Sequence, residues 1–133
     1  MKHILFVDDD PLDTRVLRDI LTMFNPADVK VSLVVDVGTA LRFLRSNEVD
    51  LVVTDQLMKH GSGDDLLRLI RSGETESGGA RTTSDIPVIL LSGAADEHGG
   101  FTASLLKPYD VNQVIAVFEQ LLHVTLAHPF RSG

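Results

Sequence analysis

The chain has 133 residues, of which 44% are hydrophobic, so it is long and apolar enough to bury the core of one domain. Its formal net charge of −7 argues against direct binding to nucleic acid, because phosphate contacts require clustered cations. It contains no cysteine, which excludes disulfides and thiolate metal sites. No apolar run is long enough for a signal peptide or a membrane span, so we expect a soluble cytoplasmic protein.

The first elements are predicted from an apolar run and the helical spacing that follows it. Residues 4–7 are typical of a strand buried on both faces. Asp10 and Pro11 then predict a helix start, with Asp10 as the cap and Pro11 in the first helical position. Asn25-Pro26 predicts its end. Seven residues at helical spacing form the predicted inner stripe: Leu12, Val16, Leu17, Ile20, Leu21, Met23 and Phe24.

The middle of the chain continues the alternation of strand and helix. Residues 29–35, which are rich in valine, predict a second strand, and residues 39–45 a short helix. We interpret Asp36, between them, as an ordinary loop acid. Residues 51–53 predict a third buried strand that ends at Thr54-Asp55, and residues 56–63 a loop.

The last part contains two more strands and two more helices. Ser62 is predicted to cap a helix that runs to about Arg71, and the polar residues 72–85 to form a long surface loop. The remaining elements are predicted as follows: a fourth strand over 87–91, ending at Ser92-Gly93, a short fifth strand over 105–106, ending at Lys107-Pro108, and a final helix capped by Asp110, with Gln113 as capping-box partner.

This alternation predicts an α/β fold with a parallel sheet and helices on both faces. In such sheets, ligands bind beyond the carboxyl ends of the strands. Chemically active side chains stand at those ends: Asp8, Asp9, Asp55, Ser92 and Lys107. Carboxylates suit a hard divalent cation such as Mg²⁺. A hydroxyl and an ammonium beside them suit a phosphoryl group, which a carboxylate can accept as an aspartyl phosphate.

At these positions the sequence resembles a known family. VDDD followed by proline, VVTDQLM, VILLSG and LLKP, in that order, resemble the receiver domain of two-component response regulators over residues 4–122. The resemblance implies a doubly wound, flavodoxin-like sheet of five parallel strands in order 2-1-3-4-5. It implies a receiver domain over residues 1–123 and a short tail over 124–133. With 133 residues, we expect no output domain, and a stand-alone regulator.

The resemblance also implies the roles of individual residues in metal binding. Asp8 and Asp9 would be the acidic pair that positions Mg²⁺, with Asp9 the more direct ligand. Asp55 would be a further ligand, and the backbone carbonyl of Leu57 would complete the protein ligands.

The same resemblance implies how phosphate is accepted. Asp55 would be the phosphoacceptor, Ser92 the switch hydroxyl that bonds the phosphoryl group, and Lys107 the cation that contacts it. Pro108 would follow a cis peptide bond. The donor would be a histidine kinase or a phosphotransfer protein, and the output a downstream protein target, with no nucleic acid or membrane partner. Such a chain is not an enzyme beyond accepting and slowly losing its own phosphate.

Other interpretations of these residues remain open. Asp8 and Asp9 could be acids at a helix start, as we expect for Asp10. The whole chain could be an interaction module that keeps the fold and does not use the site. A third alternative is a phosphohydrolase with an aspartate nucleophile, but such enzymes carry a second acid two positions later, where this chain has Leu57.

The sequence departs from the family pattern at four places. Lys59 stands where a proline is usual, and Ser104 where an aromatic switch residue is usual. Residues 93–103 are so few and so rich in glycine that the fourth helix should be very short, distorted or absent. Leu57 and Ala94 cannot orient an attacking water, which predicts slow self-dephosphorylation that Leu57→Asn would accelerate.

Overall fold

The computed structural model describes residues 1–73, 82–93 and 99–127. These residues form seven strands and four helices. In chain order they are β1 (Lys2–Val7), α1 (Leu12–Phe24), β2 (Val29–Val34), α2 (Val37–Ser46), β3 (Leu51–Asp55), β4 (Leu57–Met58), β5 (Gly61–Ser62), α3 (Gly63–Arg71), β6 (Val88–Ser92), β7 (Ala103–Leu106) and α4 (Val111–Leu122). No helix within this part of the chain is long and apolar enough to cross a membrane.

Five of the strands form one parallel sheet in the order β2-β1-β3-β6-β7. When the two-residue strands β4 and β5 are left out, this is the predicted order 2-1-3-4-5, and the predicted fold class is confirmed. The continuous apolar run of β1 is explained by its place between β2 and β3. Ile4 and Phe6 belong to the core on one face of the sheet, and Leu5 and Val7 to the core on the other.

Two helices cover each face. Leu17 of α1 and Phe118 of α4 pack in the same core as Ile4 and Phe6, with the Phe6 and Phe118 rings edge to face at 6.4 Å. Leu44 of α2 and Leu66 of α3 pack in the opposite core. The carboxyl ends of the parallel strands therefore emerge together at one edge, between the two helical layers.

Only three of the seven residues in the predicted inner stripe of α1 are buried. Leu17, Ile20 and Leu21 are buried, but Leu12, Val16 and Met23 have relative exposures of 72%, 64% and 73%. An α-helix has about 3.6 residues per turn, so these three lie roughly 100° or more around the helix from Leu17. Apolarity alone did not reveal which arc of a largely apolar helix packs on the sheet.

The helix starts also differ from expectation. The Asp36 carboxylate accepts the Thr39 N–H at 2.7 Å and is the N-cap of α2, so its interpretation as an ordinary loop acid is wrong. This hydrogen bond lowers the pKa of Asp36. In α1 the capping position is taken by Pro11, without a side-chain cap bond, and Asp10 only accepts the Leu12 N–H at 3.3 Å. The predicted cap at Ser62 is confirmed, with Asp65 completing a capping box.

Two connections flank the site edge. The predicted loop over 56–63 contains an antiparallel hairpin, in which β4 pairs with β5. Between β6 and β7 there are only ten residues, 93–102, and the described ones, 93 and 99–102, are not helical. Phe101 packs against the core under α2 and α3. The predictions for residues 94–98, and for 74–81 of the long polar loop, fall outside the described residues.

The folded body extends past α4, beyond the predicted boundary at residue 123. Leu126 is fully buried in the core shared by α1 and α4. The Asn25 side chain exchanges two hydrogen bonds of 2.8 Å with the Ala127 backbone. The segment 124–127 is therefore bound to the end of α1.

Candidate functional site

The site lies where β1, β3, β6 and β7 end side by side. Asp8 follows β1, Asp55 ends β3, Ser92 ends β6 and Lys107 follows β7. The backbone N–H of Lys107 donates to the Ser92 carbonyl at 2.8 Å, which fixes the register of these two ends. Asp55, Ser92 and Lys107 also line a cavity of about 380 Å³ together with Gln56, Leu57 and Gly93. The fold thus brings together, at these strand ends, residues that are up to 99 positions apart in the chain.

Lys107 is shared by two carboxylates. Its Nζ lies 3.2 Å from Asp55 Oδ2 and 3.2 Å from Asp13 Oδ2. Partial burial lowers the pKa of Lys107, but the hydrogen bonds and charges of Asp55 and Asp13 more than offset this, and the net shift is upward. The ammonium is therefore held charged between the end of β3 and the first turn of α1.

Asp8 is the most deeply buried acid of the site. Its relative exposure is 1%, its Oδ1 accepts the Asp10 N–H at 2.9 Å, and its Oδ2 is buried without a hydrogen-bond partner among the described residues. Burial raises the pKa of Asp8 to about 6, and the negative charges of Asp55 and Asp13 add to the shift. A buried carboxylate oxygen without a partner is unfavourable, so this position suits an added cation.

Three carboxylates meet at this point. One oxygen each of Asp8, Asp13 and Asp55 lie within 4.8 Å of one another. Carboxylate oxygens at this spacing, one of them on a buried side chain, fit a hard divalent cation such as Mg²⁺. The group contains Asp8 and Asp55, whose roles as metal ligands stay predictions, and it also contains Asp13.

Asp9 has a different partner in this structure. Its Oδ2 accepts the backbone N–H of Lys59 at 2.8 Å, so its carboxylate is bonded to the turn of the β4–β5 hairpin. The group of three acids, as far as the described residues go, does not contain it. Leu57 begins β4, with its side chain 82% exposed. The ligand roles of Asp9 and of the Leu57 carbonyl stay predictions.

Gly63, the first residue of α3, has a steric role next to Asp55. A Cβ on Gly63 would lie 2.8 Å from the Asp55 carbonyl oxygen and 2.9 Å from Gln56 Oε1. The Gly63 N–H also donates to the Gln56 carbonyl at 3.1 Å. The first residue of α3 is thus packed directly against the backbone that carries Asp55, and any larger residue there would shift it.

The protein is thus of the doubly wound α/β class, with clustered carboxylates and a lysine at the carboxyl edge of its parallel sheet. Comparison with known proteins gives the family. The Response regulator receiver domain family matches residues 4–119. The chain belongs to this family, the receiver domains of two-component response regulators, which are signalling modules and not true enzymes.

One curated relative and two solved structures illustrate the match. The chain is 30% identical over 132 residues to Regulatory protein VirG of Agrobacterium fabrum, covering 93% of this chain and 47% of that protein. The chain therefore spans about half the length of this curated relative. Response regulator TrrA of Thermotoga maritima, solved in complex with Mg²⁺ and BeF, has a TM-score of 0.75 at 23% identity, over 92% of this chain and 100% of that one.

The third is the receiver domain of sensor histidine kinase PA1611 of Pseudomonas aeruginosa, solved with a magnesium ion in its active-site cleft. It has a TM-score of 0.75 at 22% identity, over 92% of this chain and 98% of that one. At these identities, the two structures show that the fold is shared.

Two residues of the site were missed by sequence reasoning. Asp13 bonds Lys107, and the Tyr109 hydroxyl donates to the Asp13 carbonyl at 2.9 Å. A signal for Asp13 was present: it precedes Leu17 by four residues and Ile20 by seven, which is the spacing of one helix face. No comparable signal exists for Tyr109, whose contact spans 96 residues of sequence. The cis peptide bond before Pro108 is as predicted.

Proposed function

We propose that this receiver accepts a phosphoryl group on Asp55 from the phosphohistidine of a histidine kinase or phosphotransfer protein, in a step that requires Mg²⁺. The observation that carries the proposal is the position of Lys107 Nζ, 3.2 Å from Asp55 Oδ2, beside the buried Asp8. A lysine and carboxylates around one acceptor oxygen suit phosphoryl transfer, in which charge on the phosphoryl oxygens must be offset.

In the proposed reaction a carboxylate oxygen of Asp55 attacks phosphorus. The new oxygen–phosphorus bond forms as the nitrogen–phosphorus bond of the donor breaks, and the electron pair returns to the donor imidazole. Lys107 turns its ammonium to a phosphoryl oxygen, and the Ser92 hydroxyl donates to another. Asp8, Asp55 and the predicted ligands Asp9 and Leu57 would hold Mg²⁺, which when bound supplies positive charge next to the phosphoryl oxygens.

The test is phosphorylation by a small donor. Wild-type protein incubated with phosphoramidate and Mg²⁺ should gain the mass of one phosphate, and the gain should disappear in Asp55→Asn and in EDTA. Asp19→Asn, which removes one exposed acid from α1, is the matched control and should still be modified. A wild-type chain that stays unmodified with Mg²⁺, or a phosphate retained in Asp55→Asn, would overturn the proposal.

We also propose how the phosphorylated receiver acts: it signals by binding a downstream protein target. Receivers interact with histidine kinases and with downstream targets, and the acidic balance of the chain suits a protein partner better than nucleic acid. Pull-down with phosphorylated and Asp55→Asn protein should enrich different partners, and identical partner sets would contradict this part.

One observation favours the alternative of an interaction module that does not use the site. Ser104, at the position of the usual aromatic switch, is exposed on β7 and too small to change its packing as an aromatic ring would. In this alternative the protein binds its partner with the same affinity whether or not Asp55 can be modified. A partner that binds wild type and Asp55→Asn equally, with and without phosphodonor, would favour it.

A further inference from the structure

We propose that Asp13 is a working carboxylate of the cation site, which bonds Lys107 in the free protein and contributes to binding the divalent cation when one enters. The inference rests on the proposed Mg²⁺ site and adds to it a residue that the family resemblance does not supply. It starts from the group formed by Asp8, Asp13 and Asp55, whose carboxylate oxygens lie within 4.8 Å of one another.

Asp13 is held in place from two directions. Its carboxylate bonds Lys107 Nζ at 3.2 Å, and its backbone carbonyl accepts the Tyr109 hydroxyl at 2.9 Å. Its own N–H donates to the Asp10 carbonyl at 3.1 Å, at the start of α1. The two backbone contacts fix the start of α1, and the bond to Lys107 directs the Asp13 carboxylate toward the strand ends.

The three carboxylates of Asp8, Asp13 and Asp55 carry more negative charge than the nearby lysine balances. Within the described part of the chain, the one ammonium that pairs with this group is that of Lys107, which bonds Asp13 and Asp55 and not Asp8. Two negative charges are then left without a counter-ion, which is the charge of one divalent cation. The Oδ2 atom of Asp8, which is buried and has no hydrogen-bond partner among the described residues, is a second sign that an electropositive ligand belongs there.

Lys107 and the cation compete for the same carboxylates. A cation that draws on Asp55 and Asp13 repels the ammonium and removes both of its partners. Lys107 is then free to turn to an incoming phosphoryl group, while Asp13 stays with the cation. Because Asp13 bonds Lys107 until a cation takes its place, the cation binds first and Lys107 is released afterwards.

The first experiment measures Mg²⁺ affinity of the intact chain by amide NMR titration. Asp13→Asn should raise the dissociation constant about tenfold, as is typical when a group that supports a metal site is lost. The matched control is Asp10→Asn, which removes the same charge from an exposed side chain of the same segment. It should change the constant less than about twofold, since exposed charges are screened. Equal effects of the two variants would overturn the proposal.

A second comparison separates contact with the cation from an effect through the lysine. Lys107→Met should tighten Mg²⁺ binding, because a competing positive charge is gone. In that background Asp13→Asn should still weaken binding about tenfold. If Asp13→Asn has no effect once Lys107 is absent, Asp13 only positions the lysine, and the proposal fails.

The result can be told apart from failure of the proposed function. If Asp13→Asn is phosphorylated on Asp55 and binds Mg²⁺ with unchanged affinity, the proposed role of Asp13 is wrong and the proposed receiver chemistry still stands. A wild-type chain that binds no Mg²⁺ and accepts no phosphate sinks the function itself. Thermal unfolding of each variant checks that the fold is kept, as expected for a side chain 44% exposed.

Discussion

At the scale of single residues, four aspartates close together in the chain have four different environments. Asp8 is buried, Asp9 bonds the hairpin turn, Asp10 meets the start of α1 and Asp13 bonds Lys107. The residue type is the same, and the differences come from which backbone N–H or ammonium each carboxylate reaches. Burial is the property that separates Asp8 from the rest and makes it sensitive to pH.

In the metal-free protein, ionisation of Asp8 should lower the free energy of unfolding as the pH rises. Its pKa in the folded state is about 6, above the ordinary value of 3.8, so the folded state binds a proton more tightly than the unfolded state. The stabilising contribution of the proton is complete below pH 3.8 and is lost as the pH rises through about 6. Asp8→Asn should therefore raise the free energy of unfolding near neutral pH by on the order of 1 to 2 kcal/mol, allowing for solvent screening.

Urea unfolding in EDTA measures this effect. The stability difference between Asp8→Asn and wild type should grow from acidic to neutral pH. Asp19→Asn, an exposed acid, gives the effect of losing one negative charge by itself. A difference between Asp8→Asn and wild type that stays constant across this range would contradict the role of burial.

The sequence was sufficient to predict the acids that end strands and insufficient for the acid on a helix. Asp8 and Asp55 come at the ends of buried runs, Lys107 follows the short strand β7, and the carboxyl ends of parallel strands meet at one edge. Asp13 reaches the same point from the first turn of α1, and its direction depends on the rotation of that helix. The exposed Leu12 and Val16 obscured that rotation, since an apolar residue normally signals the inner face.

At the scale of elements, helix starts with similar sequences differ in how well they are capped. Asp36 has extended backbone angles and accepts the Thr39 N–H at 2.7 Å, whereas Asp10 reaches the Leu12 N–H only at 3.3 Å. The proline after Asp10 contributes no N–H to cap and occupies the capping position itself. Sequence alone therefore assigned the better cap to the wrong helix.

Removal of the Asp36 cap should lower the free energy of unfolding, because the Thr39 N–H loses its acceptor. Asp36→Ala tests this by urea unfolding, and Asp36→Ser, which restores an acceptor oxygen, should recover most of the loss. Asp10→Ala should cost less than Asp36→Ala, given its longer bond. A larger loss for Asp10→Ala would mean that the α1 cap has been misjudged.

The strands were predictable because burial on both faces leaves a continuous apolar run, as in β1 and β3. The β4–β5 hairpin was not, since its two-residue strands carry no period that could be recognised. Its turn lies at Lys59 and His60, and Gly61 has a φ of 107°, which few other residues adopt. Turn chemistry without neighbouring alternation is a weak signal in any sequence.

At the scale of the whole molecule, part of the segment that was expected to be a short tail packs against the fold. Residues 124–127 are too few to show a helical or strand period, yet Leu126 is fully buried and Val124 packs against the same core. Its N–H donates to Glu119 Oε2 at 3.0 Å, and Ala127 bonds the Asn25 side chain at the end of α1. The first and last helices of the described fold are thus joined at the edge opposite the site.

Leu126→Ala should cost about 2 to 5 kcal/mol of unfolding free energy, as expected for a leucine removed from a packed core. Denaturation by urea measures it directly. Met23→Ala is the matched control, because Met23 is 73% exposed on the outer face of the same helix that Leu126 packs against, and its loss should cost little. Equal costs for the two variants would mean that the segment contributes nothing to the core.

The bond from Tyr109 to α1 has a practical consequence for spectroscopy. The chain has one tyrosine and no tryptophan, so its tyrosine emission comes from a single ring. That ring lies two residues past Lys107, with its hydroxyl on the carbonyl of Asp13. Any movement of the β7–α4 connection relative to α1 changes the surroundings of this fluorophore. The unlabelled protein therefore carries its own optical probe beside the acidic cluster, and stopped-flow emission can follow ligand entry there in real time.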